Sequence, residues 1–451
     1  MKIDDSIRIN SIKLNNFRCF SNISIDFHPK LTVLVAENAQ GKTAILDAIS
    51  ISLGLFVDTL TGWKQYPGFD RADVRNVFDE NLQMINQLPL SFFASGTAGG
   101  VQISWDRELP GVSGRARTST RNCKDLIKYA KVLHEKMINN QPDLLLPVIA
   151  FYGTGRLWSE HRLTEFRKNS SHVGTNAGRM GGYLDCLSSS SSFKEFAEWY
   201  GSAVRDIADA RFKVLEQDVH PLKWISAVRD AVKRVLEPTG WSIIDWDNNN
   251  SVIVAENHKK GRLPLDLMSD GIRNMISLIA DLAHRCARLN PNLGETAARD
   301  TPGILLIDEV DMHLHPRWQQ LIVQLLEDAF PRMQIILTTH SPHVLTTVDK
   351  NSIRVIDTKD GLGIVRIPEF QTKGVESADV LAVIMGVDPI PQIDESIMLT
   401  KYRSLIEDGE YESDDAINLK NKLNEHFGVN HPVMIDCNRL IRFQSLKRRS
   451  N

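Results

Sequence analysis

The sequence is poor in cysteine, has no long apolar run, no surplus of one charge and no heptad repeat, and each lack removes a class of protein. The five cysteines (Cys19, Cys123, Cys186, Cys286, Cys437) are scattered, odd in number and form no C-x-x-C pair. A disulfide framework and a thiolate zinc site are therefore not expected, and a reducing compartment fits. No apolar stretch approaches the roughly 20 residues of a membrane span. The opening MKIDDSIRINSIKL carries acids where a signal peptide has a basic and then an apolar run. The expectation is a cytoplasmic protein with no membrane contact. Lys and Arg number 53 against 56 Asp and Glu, a formal net charge of −3. Any contact with DNA would need a local basic patch. Without heptads, long coiled-coil arms are excluded. Internal repeats are lacking too, and the one low-complexity tract is Ser188 to Ser192. That tract reads either as a linker or as a helix start, because Ser192-Phe-Lys-Glu195 matches a capping box.

What is present is a chain of 451 residues, 42% hydrophobic and 24% charged, enough for a large core. Ile7 to Leu14 alternates like a strand; Ile23 to Phe27 and Leu31 to Val35 read as two more. A helix opens at Gly41. Residues 54–145 mix helical pieces with polar, Gly-rich stretches such as SGTAGG at 95–100, and Gly111 to Arg121 reads as an exposed loop. Leu144 to Tyr152 reads as a return to the sheet, 193–237 as long helices, and Trp241 to Val254 as a hairpin turning at Asp247-Asn-Asn-Asn250. An amphipathic helix is expected from Gly271 to Leu289, and buried strands over Gly303 to Asp308 and Gln334 to Thr339. The tail beyond about 375 is helical and ends basic, with Arg439, Arg442, Lys447, Arg448 and Arg449. It has a plain reading as a solvated end and a sharper one as a contact for a partner.

Four motifs carry chemistry. Ala36-Glu-Asn-Ala-Gln-Gly-Lys-Thr43 lies between a strand and a helix, the setting of a phosphate-binding P-loop. Backbone N–H groups there cradle phosphate oxygens, Lys42 places its ammonium between β- and γ-phosphates, and the Thr43 hydroxyl completes a Mg²⁺ shell. Ala36 replaces the first glycine, which is tolerable provided its φ stays negative. Gly303-Ile-Leu-Leu-Ile-Asp-Glu309 is a buried strand running into two carboxylates. Asp308 suits the metal and Glu309 a general base. Gln334-Ile-Ile-Leu-Thr-Thr-His340 ends a buried strand in a histidine able to sense a γ-phosphate. Leu267-Met-Ser-Asp-Gly-Ile-Arg273 opens a helix, and Ser269, Asp270 and Gly271 there either cap it or bind the phosphate of ATP held by another copy. Each alone has a plainer account: a loop, solvated acids at a strand end, a sheet-end hydrogen bond, a helix cap.

In chain order, as P-loop, serine–glycine helix start, acid-tipped strand and histidine-tipped strand, the four resemble the ABC ATPases, and most nearly their SMC-like and OLD-like branch. Ile12-Lys-Leu-Asn-Asn-Phe-Arg-Cys-Phe20 resembles that branch's first-strand motif, whose arginine, here Arg18, lies near the nucleotide. Asn38 falls on the branch's P-loop asparagine. Val310-Asp-Met-His-Leu-His-Pro316 resembles the D-loop that faces a second subunit, through Asp311, His313 and His315. The resemblance explains these histidines without a protein-bound metal. The letters His426-Phe-Gly-Val-Asn-His431 lack the spacing of an HNH nuclease and read as structural.

The fold implied is α/β: an ABC/SMC-type P-loop ATPase head with a mainly helical insertion and a helical C-terminal extension. Its parts fall at 1–54 and 266–374 for the head, 55–265 for a largely helical insertion returning to the sheet near 144–155, and 375–451 for the extension, a candidate dock for a partner. The motif Phe151-Tyr-Gly-Thr-Gly-Arg-Leu-Trp158 and the tail around Asp379 to Gly386 and Leu405 to Glu410 resemble the Septu-type anti-phage ATPases (the PtuA family), found also with retrons. That resemblance implies ATP and Mg²⁺ as cofactors and catalysis by Glu309 and His340. It implies ATP binding by residues Ala36, Glu37, Asn38, Ala39, Gln40, Gly41, Lys42, Thr43 and Arg18, with Ser269, Asp270 and Gly271 in trans. It also implies a homo-oligomer built on a head-to-head dimer, an HNH nuclease partner of the PtuB kind, DNA met through the complex, and no nuclease activity in this chain alone. Two other accounts stand beside it: an SMC-like DNA-repair ATPase that clamps DNA without a nuclease, and a slow nucleotide sensor.

Overall fold

The computed structural model describes residues 6–66, 68–112, 118–120, 122–155, 178–188, 193–212, 220–250, 252–257, 259 and 261–450. Five of the expected segments therefore fall outside the described residues in part: 156–158 of the Phe151 motif, 189–192 of the serine tract with its capping box, 113–117 with 121 of the Gly111 loop, 213–219 between the helices expected over 193–237, and 251 of the hairpin expected over Trp241 to Val254.

In chain order the elements begin with β1 (Ile7–Phe17), β2 (Phe20–Asp26), β3 (Leu31–Val35), α1 (Lys42–Thr61), β4 (Asn76–Phe78), β5 (Met84–Asn86), β6 (Leu90–Ala98), β7 (Val101–Leu109), α2 (Lys124–Ile138) and β8 (Val148–Tyr152). There follow α3 (Phe193–Phe212), α4 (His220–Leu236), β9 (Trp241–Asp247), β10 (Val252–Asn257), β11 (Gly261–Pro264), α5 (Asp270–Leu289), α6 (Ala297–Asp300) and β12 (Gly303–Ile307). The chain continues through α7 (Pro316–Gln319), α8 (Ile322–Ala329), β13 (Met333–Thr338), α9 (Pro342–Leu345), β14 (Ile353–Lys359), β15 (Leu362–Arg366) and α10 (Ser377–Val383). It ends in α11 (Asp394–Glu407), α12 (Asp414–Phe427) and α13 (Pro432–Ser450).

Ten strands form one sheet in the order β7-β6-β1-β2-β15-β14-β3-β13-β12-β8. Pairing from β14 through β3, β13 and β12 to β8 is parallel. Sheets of that kind are covered on both faces, so their strands read as continuous apolar runs. LTVLV, VIAFY, GILLI and MQIILT are such runs, and each is buried throughout. The one amide among them, Gln334, is satisfied across the core. Its Oε1 accepts from Ile9 N–H at 2.9 Å and its Nε2 donates to the Ile9 and His28 carbonyls at 2.7 and 3.1 Å. Parallel register aligns the strand ends: Ile307 lies opposite Tyr152 and Leu337, and Thr338 opposite Leu34. The chain leaves β3, β12 and β13 at one edge, where open α/β sheets bind ligands.

Two expectations are corrected. The insertion expected over 55–265 as largely helical also carries strands, and the stretch 54–145, read as helical pieces mixed with polar, Gly-rich segments, holds β4 to β7. β6 and β7 form a hairpin that joins the main sheet by pairing β6 with β1, and SGTAGG ends β6 and makes the turn. β6 alternates buried and half-exposed residues, but its buried positions include Ala and Gly, so hydrophobicity alone conceals the period of two. β9, β10 and β11 add a three-stranded sheet to the same insertion. Second, α1 is long and apolar enough to cross a membrane by length and composition. Its Ser, Gly and Thr interrupt an apolar count without making it polar. Here it is mostly buried, packed against β1, β6 and β13.

The chain divides into two compact units, Met1–Val380 and Leu381–Asn451. The second is helical, with a small core of Tyr402, Ile406, Ala416, Leu423, Met434 and Cys437 contributed by α11, α12 and α13.

Candidate nucleotide site

The loop after β3 is shaped by two left-handed residues, Ala39 (φ 63°) and Gly41 (φ 87°). Ala36 is not among the positive-φ residues, so its Cβ costs nothing at the first loop position. Gly41 is required twice over: by its φ, and because a Cβ there would lie 2.4 Å from the Phe20 ring and 2.6 Å from Cys19 Sγ. The loop thus rests on the β1–β2 turn. Lys42, 7% exposed, folds its ammonium back onto the carbonyls of Ala36 and Glu37 at 2.8 and 3.0 Å. Burial pushes its pKa down, against the pull of Asp308, Glu309 and Asp311.

Thr43 donates its hydroxyl proton to Asp308 Oδ2 at 2.8 Å, and Asp308 is buried. Thr338 donates to Asp308 Oδ1 at 2.6 Å and accepts the Glu309 N–H at 2.7 Å. Glu309 stands at φ 47°, unusual for a residue with a side chain. Just past β13, Thr339 donates to Asp311 Oδ1 at 2.6 Å, and the His340 N–H reaches the same oxygen at 3.3 Å. Gln319 fastens this turn, donating to Leu314 O at 2.9 Å and accepting from Ser341 Oγ at 2.7 Å. The His340 ring is half-buried. Burial first, then the Lys42 charge, lower its pKa, while Asp311, Glu309 and Asp308 oppose. A mostly neutral imidazole results, able to donate one hydrogen bond and accept another.

Lys42, Thr43, Asp308, Glu309, Asp311 and His340 are therefore brought together. Arg18 is near but engaged: at φ 49° in the β1–β2 turn it pairs with Asp47 and, at 2.9 Å, with Asp73. Asp73 and Asp47, the latter on α1, both pair with Arg18 and were missed by sequence reasoning. Their signal was faint, since neither lies in a motif. Gly271 packs on the backbone of the 310–316 turn, where a Cβ would meet His313 O at 2.4 Å. Ser269 makes no side-chain cap bond, and Asp270 is exposed and pairs with Arg273 at 3.0 Å. His313 is exposed at φ 62°, and His315 caps α7, accepting the Arg317 N–H at 3.3 Å. No cluster of metal-ligating His, Cys, Asp and Glu occurs among the described residues. In the second unit His431 accepts the Val433 N–H at 3.3 Å at the start of α13, and His426 lies 3.9 Å from Glu395.

Behind the site lies a buried polar group. Tyr152, at the end of β8, donates to Asp281 Oδ2 at 2.7 Å. Arg285 donates to the same oxygen at 2.8 Å and to the carbonyls of Gly182 and Leu184 at 3.0 and 2.8 Å. This ties α5 to the strand beside β12.

Residues 11–219 match a family model described as AAA domain, and residues 187–346 one described as AAA domain, putative AbiEii toxin, Type IV TA system. The chain is similar to the Retron Ec83 probable ATPase of Escherichia coli, 28% identical over 95% of this chain and 86% of the relative. It is also similar to the Septu protein PtuA of Bacillus thuringiensis, 25% identical over 86% of this chain and 84% of the relative. Among solved structures it is similar to the SMC head domain from Thermotoga maritima, with TM-score 0.44 and 14% identity over 80% of this chain and 100% of that one. The relatives support ATP hydrolysis. The chain is an α/β P-loop ATPase with a helical extension, homologous to the retron-associated and Septu ATPases.

Proposed function

We propose that this chain hydrolyses ATP between two copies of its head and thereby governs a partner nuclease of the HNH class in anti-phage defence. The observation that carries the hydrolytic part is the convergence of Lys42, Thr43, Asp308, Glu309 and His340 at the carboxyl ends of β3, β12 and β13.

The donor set fits a magnesium ion: two hard oxygen ligands, the Thr43 hydroxyl and the Asp308 carboxylate, already meet at 2.8 Å. When bound with nucleotide, that ion neutralises phosphate charge. The remaining work belongs to the chain. Lys42 exchanges two carbonyls for phosphate oxygens, and its partial burial strengthens the attraction. The loop N–H groups and the start of α1 hold the phosphates. Glu309 accepts a proton from the attacking water. His340 donates to a γ-phosphate oxygen and registers its loss.

Ser269, Asp270 and Gly271 serve a nucleotide held by the second copy, across a face that includes Asp311, His313 and His315. Support for this comes from Ser269, whose hydroxyl is not spent on capping its own helix. Kinship with a Septu protein supports the defence role and a nuclease partner. The extension over 375–451 is the proposed dock, and DNA is met through the complex.

The test is steady-state ATP hydrolysis by the purified full chain and its Glu309→Gln variant. We expect kcat to fall about 100-fold or more with ATP affinity retained. An unchanged kcat would remove the assignment. Co-purification from the native operon tests the second half: a chain isolated without a nuclease would leave an ATPase of another pathway.

A further inference from the structure

Thr338 ends β13 and has no accessible surface. Its hydroxyl has one proton to give and lone pairs to receive. The Glu309 N–H can only donate, so Thr338 Oγ1 must accept there, at 2.7 Å. The hydroxyl proton is then left for Asp308 Oδ1, at 2.6 Å. Both bonds have a fixed direction. The Thr338 carbonyl adds a third tie, accepting the Val310 N–H at 3.0 Å. A single threonine thus holds three successive residues of the acid-bearing turn.

Each tie has a consequence. The bond to Oδ1 fixes the rotation of the Asp308 carboxylate, so that Oδ2 faces Thr43. The bond from Glu309 N–H supports a backbone at φ 47°, a conformation that persists for a residue with a Cβ where its surroundings hold it. Threonine suits the task because its branched Cβ restricts χ1 and keeps the hydroxyl in one place.

The geometry points to Thr338 as a positioning residue that aims the Asp308 carboxylate and the Glu309 backbone for hydrolysis. The inference rests on the hydrolytic reading of those two acids. Thr338 touches no substrate and acts through both of them.

The test compares Thr338→Ser with Thr338→Ala in the full chain. Both lack the methyl group, and they differ by the hydroxyl alone. We expect kcat of the alanine variant roughly 100-fold below that of the serine variant, the scale of a misplacement near 1 Å. KM for ATP, and the affinity for a fluorescent ATP analogue in EDTA, should agree within about twofold. The magnesium concentration giving half-maximal turnover should rise in the alanine variant alone. Equal kcat in the two variants would overturn the proposal. If the alanine variant does not fold, Thr338→Val against the parent protein reads the same hydroxyl at nearly constant volume. Glu309→Gln, assayed in parallel, separates the two claims. A slow Gln variant beside equal Ser and Ala variants rejects positioning by Thr338. A fast Gln variant rejects the hydrolytic assignment, and the proposal with it.

Discussion

Helices α1 and α5 are each 20 residues long, and both begin beside the candidate site. They use that length in opposite ways. α1 is apolar, mostly buried, and polar chiefly at its start, where Lys42 and Thr43 face the candidate site. α5 is amphipathic by sequence yet buries Asp281, His284 and Arg285 as well as its apolar face. Its start makes no side-chain cap, while its middle carries a charged group into the interior. The difference teaches that hydrophobic pattern reports where a helix lies only when its charges are solvated. α1 is anchored by area, at roughly 25 cal/mol per Å² buried. α5 adds to its buried apolar face a few directed bonds, each costly to break.

Removing one partner of a buried pair should therefore hurt α5 most. Asp281→Ala takes the carboxylate from Arg285 and from the Tyr152 hydroxyl, leaving a buried charge without its counter-charge, and should cost about 3–5 kcal/mol in urea unfolding. A loss below about 1 kcal/mol would mean that area holds α5 as it holds α1. His284 should give the next largest effect. Burial, with Arg288 and Arg285 adding and Asp281 opposing, lowers its pKa from 6.5 to about 3, and its ring stacks on Trp199 at 4.0 Å. Between those values the unfolded chain binds the proton and the folded chain does not. Its contribution is thus whole above pH 6.5 and is lost as pH falls towards 3. The loss should reach about 3 kcal/mol by pH 4, and His284→Phe should flatten that part of the acid limb in a pH series of unfolding curves. On α1 the matching change is Gly41→Ala. The left-handed φ alone costs about 1–2 kcal/mol, and displacing Phe20 should weaken ATP binding in a titration. Smallest for stability is Ser269→Ala. With no cap bond to lose, unfolding should move by less than about 0.5 kcal/mol. ATP turnover should still fall if the hydroxyl serves a second copy, and an unchanged turnover would leave Ser269 a surface residue.

How much of this the sequence discloses follows the same division. Strands β3, β8, β12 and β13 are legible because burial on both faces leaves an unbroken apolar run. Residues 36–43, 308–309 and 340 stood out because phosphate chemistry would ask for those residue types after a strand, and the fold brings them together. β6 was hidden by its small residues, and α1 passed for an interrupted run although its Ser and Gly are buried among apolar neighbours. The pairing of Arg18 with Asp47 and Asp73 was illegible, because it joins positions far apart in sequence whose side chains meet only through the fold. Thr338 was quoted within a motif but given no role, since its value lies in two side-chain bonds to the turn after β12.

The order of strands has a consequence for how the protein is made. β3 carries the loop that holds Lys42, yet both its sheet neighbours, β13 and β14, are encoded about 300 residues later. At about 5–20 residues per second, a ribosome needs roughly 15 to 60 s to bridge that gap. Throughout that interval β3 on the nascent chain lacks its flanking strands, and the acids of β12 and the threonines of β13 are still to come. A message broken between codons 43 and 308 would yield a product with the most recognisable motif of the sequence and neither the acids nor the histidine that the fold sets beside it.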